Sequence, residues 1–170
     1  MRILSGLYKG RKIKTIQDAS YRPTKSLVRK SLFDILGPLE NKSFLDLFSG
    51  SGIIGFEALS RGSSKVEFVE NNWNHLKLLE SNSVYFPESN ISINHADVFK
   101  YLSSSQKFDI IFADPPYGAF DLDKLFHLVI SRVKPTGKYI LETNRSNSKL
   151  IHNPEVRNYG KTQLAFWGQK

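Results

Sequence analysis

The stretch that most constrains this chain is residues 43–60. An apolar run, Ser43-Phe44-Leu45-Asp46-Leu47, passes through Phe48-Ser49-Gly50-Ser51-Gly52-Ile53-Ile54-Gly55 into a second apolar run. A G-x-G-x-x-G sequence between a strand and a helix lets the backbone approach a ligand closely at the carboxyl edge of a sheet, where doubly wound α/β folds bind their ligands. The rest of the chain continues the alternation. Short apolar runs predict strands at 43–47, 65–69, 91–95, 108–113 and 137–142, and amphipathic patterns predict helices at 52–60, 72–85, 97–104 and 122–132. Pro87 and Pro135 are read as breakers between units. Strands alternating with helices imply a mostly parallel sheet covered on both faces. Residues 152–158 and 163–168 flank Tyr159-Gly160-Lys161 and predict a final antiparallel hairpin.

Ahead of this pattern lies a different kind of segment. Residues 2–5 and 11–15 around Lys9-Gly10 read as a small β-hairpin, and Val28, Leu32, Ile35 and Leu36 are spaced as the apolar face of a helix capped by Thr24 and ended by Gly37-Pro38. Charge separates the two parts. Residues 1–30 hold nine basic side chains and one acid, so they carry the whole net charge of +8, while the remaining basic and acidic residues cancel. A basic patch of this kind is the footprint of a nucleic-acid binder. Arg2, Lys9, Arg11, Lys12, Lys14, Arg22 and Arg29 are the candidate phosphate contacts, with Lys25, Arg29 and Lys30 placed on the exposed side of the helix. The organisation expected is a basic appendage over residues 1–40 and one α/β domain over 41–170. Cysteine is absent and the four histidines show no ligand spacing, so no metal site is expected. No apolar run approaches the length of a membrane span, and no signal peptide is visible, which predicts a cytoplasmic protein.

Carboxylates at strand ends narrow the ligand. Glu70 ends the second predicted strand twenty residues after Gly50, where it can accept from both hydroxyls of a ribose. Asp46 precedes the glycines. It would repel the phosphates of a dinucleotide but suits a cationic amino group. Asp97, after the third strand, can accept from an adenine amino group, with the Val98 N–H reading the ring. An acid-lined cleft of this kind fits the sulfonium cation of S-adenosylmethionine. Phe48, Ser49, Gly50 and Gly52 complete the predicted pocket.

The apolar strand Ile110-Ile111-Phe112-Ala113 runs directly into Asp114-Pro115-Pro116-Tyr117-Gly118. An exocyclic amine on a base is a poor nucleophile because its lone pair is delocalised into the ring. The Asp114 carboxylate and the Pro115 carbonyl can accept its two protons and aim the lone pair. Pro115 and Pro116 fix the backbone without adding a competing N–H, and Tyr117 offers a face on which an extruded base can stack. Direct transfer of this kind needs neither a metal nor a cysteine nucleophile.

Arg22-Pro23-Thr24, Asp46-Leu47-Phe48-Ser49-Gly50-Ser51-Gly52, Glu57-Ala58-Leu59-Ser60-Arg61-Gly62, Asp114-Pro115-Pro116-Tyr117 and Tyr159-Gly160 occur in the order seen in the RsmD family, and the resemblance runs from Arg2 to Trp167. It implies a class I (Rossmann-like) methyltransferase with a seven-stranded sheet, acting on the 2-amino group of one guanine in 16S ribosomal RNA. It further implies a partly or fully assembled small subunit as substrate, and a monomer is expected. The chain departs from the family in having Ser49 where alanine is common, and in leaving little room for a last helix at 144–151. Three alternatives compete. A DNA adenine-N6 methyltransferase would need a sequence-reading domain for which there is no space. A non-catalytic RNA-binding assembly factor would not need Asp114 and the strand-end acids together. An NAD oxidoreductase is opposed by the sign of Asp46.

Overall fold

The computed structural model describes residues 1–15, 26–87, 89–103, 106–116, 121–146 and 150–168. Seven strands form one sheet: β1 (Ser43–Leu47), β2 (Lys65–Glu70), β3 (Ile91–His95), β4 (Phe108–Ala113), β5 (Val133–Asn144), β6 (Glu155–Tyr159) and β7 (Thr162–Gly168). Their order is β3-β2-β1-β4-β5-β7-β6. The first five pair in parallel, and β7 lies antiparallel between β5 and β6. This is the mostly parallel α/β sheet with a terminal hairpin that the sequence pattern predicts. The described helices are α1 (Ser26–Leu36), α2 (Ile53–Ser60), α3 (Trp73–Ser83), α4 (Val98–Tyr101) and α5 (Leu122–Ile130). From β1 the chain first winds outward to β2 and β3, then returns to β4 and winds the other way. The β1/β4 boundary is therefore the switch point, where such sheets open a crevice at their carboxyl edge.

Alternation along the strands splits the core in two. Phe44, Val66, Phe68, Ile110, Phe112 and Ile140 face one side, together with Leu32 and Phe33 of α1 and Phe56 of α2. Leu45, Leu47, Ile111, Tyr139 and Leu141 face the other, against Val98 and Leu125, Phe126 and Val129 of α5. Both helical layers exist because period-2 strands have two apolar faces to cover.

Ile3 and Ile13, each 2 % exposed, belong to the first of these cores. The boundary expected near residue 40 thus does not separate two cores. Among the described residues the predicted N-terminal hairpin shrinks to one antiparallel bridge, Arg2 with Lys12, supported by Ile3 N–H to the Arg11 carbonyl at 3.0 Å and Ile13 N–H to the Met1 carbonyl at 2.9 Å. Its turn is held by α2. Leu4 and Ser5 N–H donate to the Glu57 carboxylate at 2.8 and 3.1 Å, Tyr8 N–H donates to Ser60 Oγ at 2.9 Å, and Leu7 N–H donates to the Ser60 carbonyl at 2.7 Å.

Two expectations are corrected. Pro135 is not a break between units but lies inside β5. Phe108 pairs with Val133 and Ile110 with Lys138, so one residue of β4 faces four of β5, and the proline sits in that bulge, where a missing N–H leaves no gap in the ladder. Arg29 is not on the exposed side of α1. It is 1 % exposed, with its Nε 3.5 Å from Glu57 and its Nη2 donating to the Arg2 carbonyl at 2.7 Å. Thr24 and Lys25 lie outside the described residues. The other helices match their predicted places, α4 being shorter than its expected span. No helix separates β5 from β6 among the described residues, in keeping with the short 144–151 connection.

Candidate active site

Four neighbouring strands repeat one local pattern at their carboxyl ends. An apolar residue facing the α1/α2 side is followed two positions later by an acid: Phe44 by Asp46, Phe68 by Glu70, Phe112 by Asp114, and Ile140 by Glu142. Because successive side chains alternate, this spacing puts all four carboxylates on one face at one edge. Across the sheet they run Glu70, Asp46, Asp114, Glu142, in the strand order β2-β1-β4-β5. Glu142, 4 % exposed, is a residue that the sequence reading missed. Its signal was present, since Ile140-Leu141-Glu142 copies the pattern of the three acids or acid-bearing strands already noticed.

The glycine turn is built around two of these acids. Asp46, 2 % exposed, accepts from Gly55 N–H at 2.9 Å. Glu70 accepts from Gly50 N–H and Asn72 N–H, both at 2.8 Å. Gly52 is left-handed at φ 77°, and a Cβ there would lie 2.3 Å from Leu79. A Cβ on Gly55 would meet Phe68 at 2.2 Å, so this glycine lets α2 lie close to β2. Phe48 holds φ 59° without being glycine, a strained position at the strand-to-turn corner.

Other predicted pocket residues have work within the fold. The Ser49 hydroxyl donates to the Asp46 carbonyl at 2.6 Å and accepts from Val69 N–H at 3.0 Å, so it ties β1 to β2. Asp97 caps α4 by accepting from Lys100 N–H at 3.1 Å, and Val98, buried, opens that helix. Pro115 is buried and Pro116 exposed directly after Asp114, while Tyr117 lies outside the described residues.

Burial pushes the Asp46 carboxyl well above the usual carboxylate range, against the Gly55 hydrogen bond and with the help of Glu70. Asp114 is pushed up likewise by burial, then by the charges of Glu142 and Asp46. Among the described residues no lysine or arginine pairs with Asp46 or Asp114. A buried acid, Asp46, and a half-buried one, Asp114, neither paired with a cation and both beside a glycine-rich turn, are the acceptor set that a cationic nucleoside cofactor requires. The residues present therefore fit S-adenosylmethionine.

The basic segment lies on the side of α2 and α3. Arg2, Lys9, Lys12 and Lys14 are exposed. The Arg11 guanidinium stacks 4.6 Å from the Tyr8 ring centroid, and Lys14 Nζ stands 5.8 Å from that of Tyr85. Arg22 lies outside the described residues. Sequence reading also missed Asn82, fully buried, whose side chain accepts from Lys14 N–H at 2.9 Å and donates to the Lys14 and Ser51 carbonyls at 3.0 Å. Nothing in its local pattern distinguishes it, because its partners are 68 and 31 residues away.

Residues 1–168 match the family described as Conserved hypothetical protein 95. The chain belongs to this family, the RsmD family. A Haemophilus influenzae protein named Ribosomal RNA small subunit methyltransferase D is 33% identical over 163 residues, covering 91% of this chain and 83% of that relative. Among solved structures, a Thermus thermophilus hypothetical protein superposes with TM-score 0.87 and 31% identity, covering 99% of each chain. The T. thermophilus 16S rRNA N2 methyltransferase RsmC, in complex with AdoMet and guanosine, shares the fold, with TM-score 0.72 at 19% identity over 91% of this chain and 45% of that one. Within Glu57-Ala58-Leu59-Ser60, one of the runs that carry the resemblance, Glu57 and Ser60 hold the N-terminal turn described above.

Proposed function

We propose that this chain is an S-adenosylmethionine-dependent ribosomal RNA methyltransferase that modifies the exocyclic 2-amino group of a guanine in the small-subunit RNA. The observation that carries the reading is the row of acids at the carboxyl edge, Asp46, Glu70 and Glu142 buried and Asp114 half-buried, with Asp114-Pro115-Pro116 at the switch point. Membership of the RsmD family and the name of the Haemophilus influenzae relative support RNA of the small subunit as substrate. The guanosine held by RsmC supports the choice of base.

Asp46 binds the cationic amino group of the cofactor, Glu70 the ribose hydroxyls, and Asp97 with Val98 N–H the adenine. The Phe48–Gly52 turn provides backbone at close range. Bound there, S-adenosylmethionine supplies an electrophilic methyl group. Asp114 and the Pro115 carbonyl accept the two amino protons of the base, localise the nitrogen lone pair and set its direction, which is catalysis by orientation and electrostatics. Asp114, whose carboxyl is already biased toward the protonated form, then takes the proton that the amine must lose. Pro116 stiffens the turn and Tyr117 stacks on the extruded base. Arg2, Lys9, Arg11, Lys12, Lys14 and Arg22, from the first 40 residues, grip the phosphates.

Small subunits from cells lacking the protein, incubated with it and methyl-labelled cofactor, should acquire label at one guanine as N2-methylguanine. Label at adenine N6, or no label on RNA, would refute the reading.

A further inference from the structure

We infer that Glu142 reads the identity of the base: its carboxylate accepts the N1–H of the target guanine, beside the 2-amino group held by Asp114. This rests on the reading of the site given above. Ala113 pairs with Leu141 across strands about 5 Å apart, so Asp114, the first residue past β4, and Glu142 on β5 come next along neighbouring strands, and the Glu142 charge acts on Asp114. The cofactor acids Glu70 and Asp46 lie on β2 and β1, to one side of Asp114. A base whose amine faces a methyl donor on that side must extend its neighbouring ring atoms toward β5, where Glu142 stands.

The edge of guanine that carries the 2-amino group presents three N–H bonds, two from the amine and one from N1. The edge of adenine that carries the 6-amino group presents two, followed by a lone pair at N1. Asp114 and the Pro115 carbonyl supply the two acceptors that any such amine needs, and Glu142 supplies a third. Opposite adenine, that carboxylate would meet a lone pair, leaving two buried acceptors unpaired. Opposite guanine it gains a charge-assisted hydrogen bond. A carboxylate has about four acceptor directions, so one toward the base leaves others for the fold. The arrangement also accounts for a second acid beside Asp114. The Glu142 charge adds to burial in holding Asp114 toward the protonated form, a cost that N–H donors of a bound base would relieve.

The test uses 2-aminopurine, which keeps the 2-amino group but has a lone pair at N1. Small subunits are reconstituted around RNA carrying guanine or 2-aminopurine at the mapped position, and kcat/KM is measured for wild type and Glu142→Gln. Wild type should prefer guanine by on the order of a hundredfold or more. The amide of the variant can turn its N–H toward the lone pair, so its preference should fall by at least tenfold, on the order of one base-pair-sized recognition energy. Other differences between the two bases cancel in the ratio of ratios. An unchanged preference, with guanine still methylated, would overturn the role of Glu142 and leave the proposed function standing. Label on adenine N6 would remove both. S-adenosylhomocysteine titration checks that the variant is folded. Should it not fold, wild type alone decides, because equal use of guanine and 2-aminopurine would overturn the inference and strong rejection of 2-aminopurine would support it.

Discussion

Glu57, Glu67 and Asp109 differ from Asp46 and Asp114 in what surrounds them. Glu57, with no exposed surface, is met by Arg29 at 3.5 Å, Arg61 at 2.9 Å and two backbone N–H groups. Burial would raise the Glu67 carboxyl, but hydrogen bonds from Lys65, Tyr101 and Gln106 outweigh it and hold it low. At Asp109 the same opposition of burial by Lys134 and Ser43 has the same outcome. These acids fasten pieces of the fold together. At the carboxyl edge the shift has the opposite sign, and Asp46 and Asp114 are raised. One set has its cations built in. On the proposed reading, the other is arranged for a cation and for N–H donors that come from outside, which is how a binding site differs from a staple made of the same residue type.

The largest effect expected from this contrast is at Glu57. Glu57→Ala leaves Arg29 buried without its counter-charge and frees the N-terminal turn, so denaturant unfolding should show a loss of about 3–5 kcal/mol. Asp114→Ala should leave the unfolding free energy intact or raised, and should lower the single-turnover rate on the order of tenfold to a thousandfold with little change in cofactor affinity. A variant at Asp114 that unfolds the protein, or one at Glu57 that only slows transfer, would break the division into two sets. A smaller effect belongs to the basic segment. Replacing Arg11, Lys12 and Lys14 by Gln should flatten the log–log salt dependence of RNA binding by about two to three units, at roughly 0.7–0.9 per lost phosphate contact. Arg29→Gln should leave that slope unchanged, since its guanidinium is spent inside the protein.

The fate of Arg29 shows where sequence reading stops. Strand positions, the glycine turn and three of the four edge acids were legible because each depends on period-2 alternation or on spacing within one strand–helix–strand unit, as with Glu70 twenty residues after Gly50. Arg29 sits on α1 between Val28 and Leu32, and local pattern assigns a cation to the wet side. Its burial is decided by Glu57, on a helix 28 positions later. Ser49 is a similar case, because nothing near it announces that its hydroxyl is needed by Val69 on the neighbouring strand. Pro135 misled for a related reason. A proline reads as a stop, and only the register with β4 reveals the bulge that accommodates it. Asp97 reads in the sequence as an adenine contact, and the structure shows a second use, the cap of α4 through Lys100 N–H.

The smallest effect is the one that tests the sign of the comparison directly, through the pH dependence of stability without cofactor. Asp109 has a folded-state pKa below its unfolded value, so it binds fewer protons when folded. Its contribution is present above the ordinary carboxylate pKa of 3.8 and fades as pH falls through the folded value. With Lys134 42% and Asp109 21% exposed, solvent screening limits this to about 0.5–1 kcal/mol. Asp46 and Asp114 lie on the other side of the balance. Their folded-state pKa values exceed 3.8, so the folded protein binds more protons, and stability should fall as pH rises from the ordinary carboxylate range toward the raised values. Asp109→Asn should therefore remove an acid-side loss of stability, and Asp46→Asn should remove an alkaline-side one while its amide oxygen keeps the Gly55 hydrogen bond. Thermal unfolding from pH 2 to 8 measures both slopes. A cationic cofactor analogue should flatten the wild-type curve at its upper end, because a positive charge beside Asp46 favours the ionised carboxylate. Slopes of the same sign for the two variants would mean that the edge acids are already neutralised within the fold, and the distinction between staple and site would be lost.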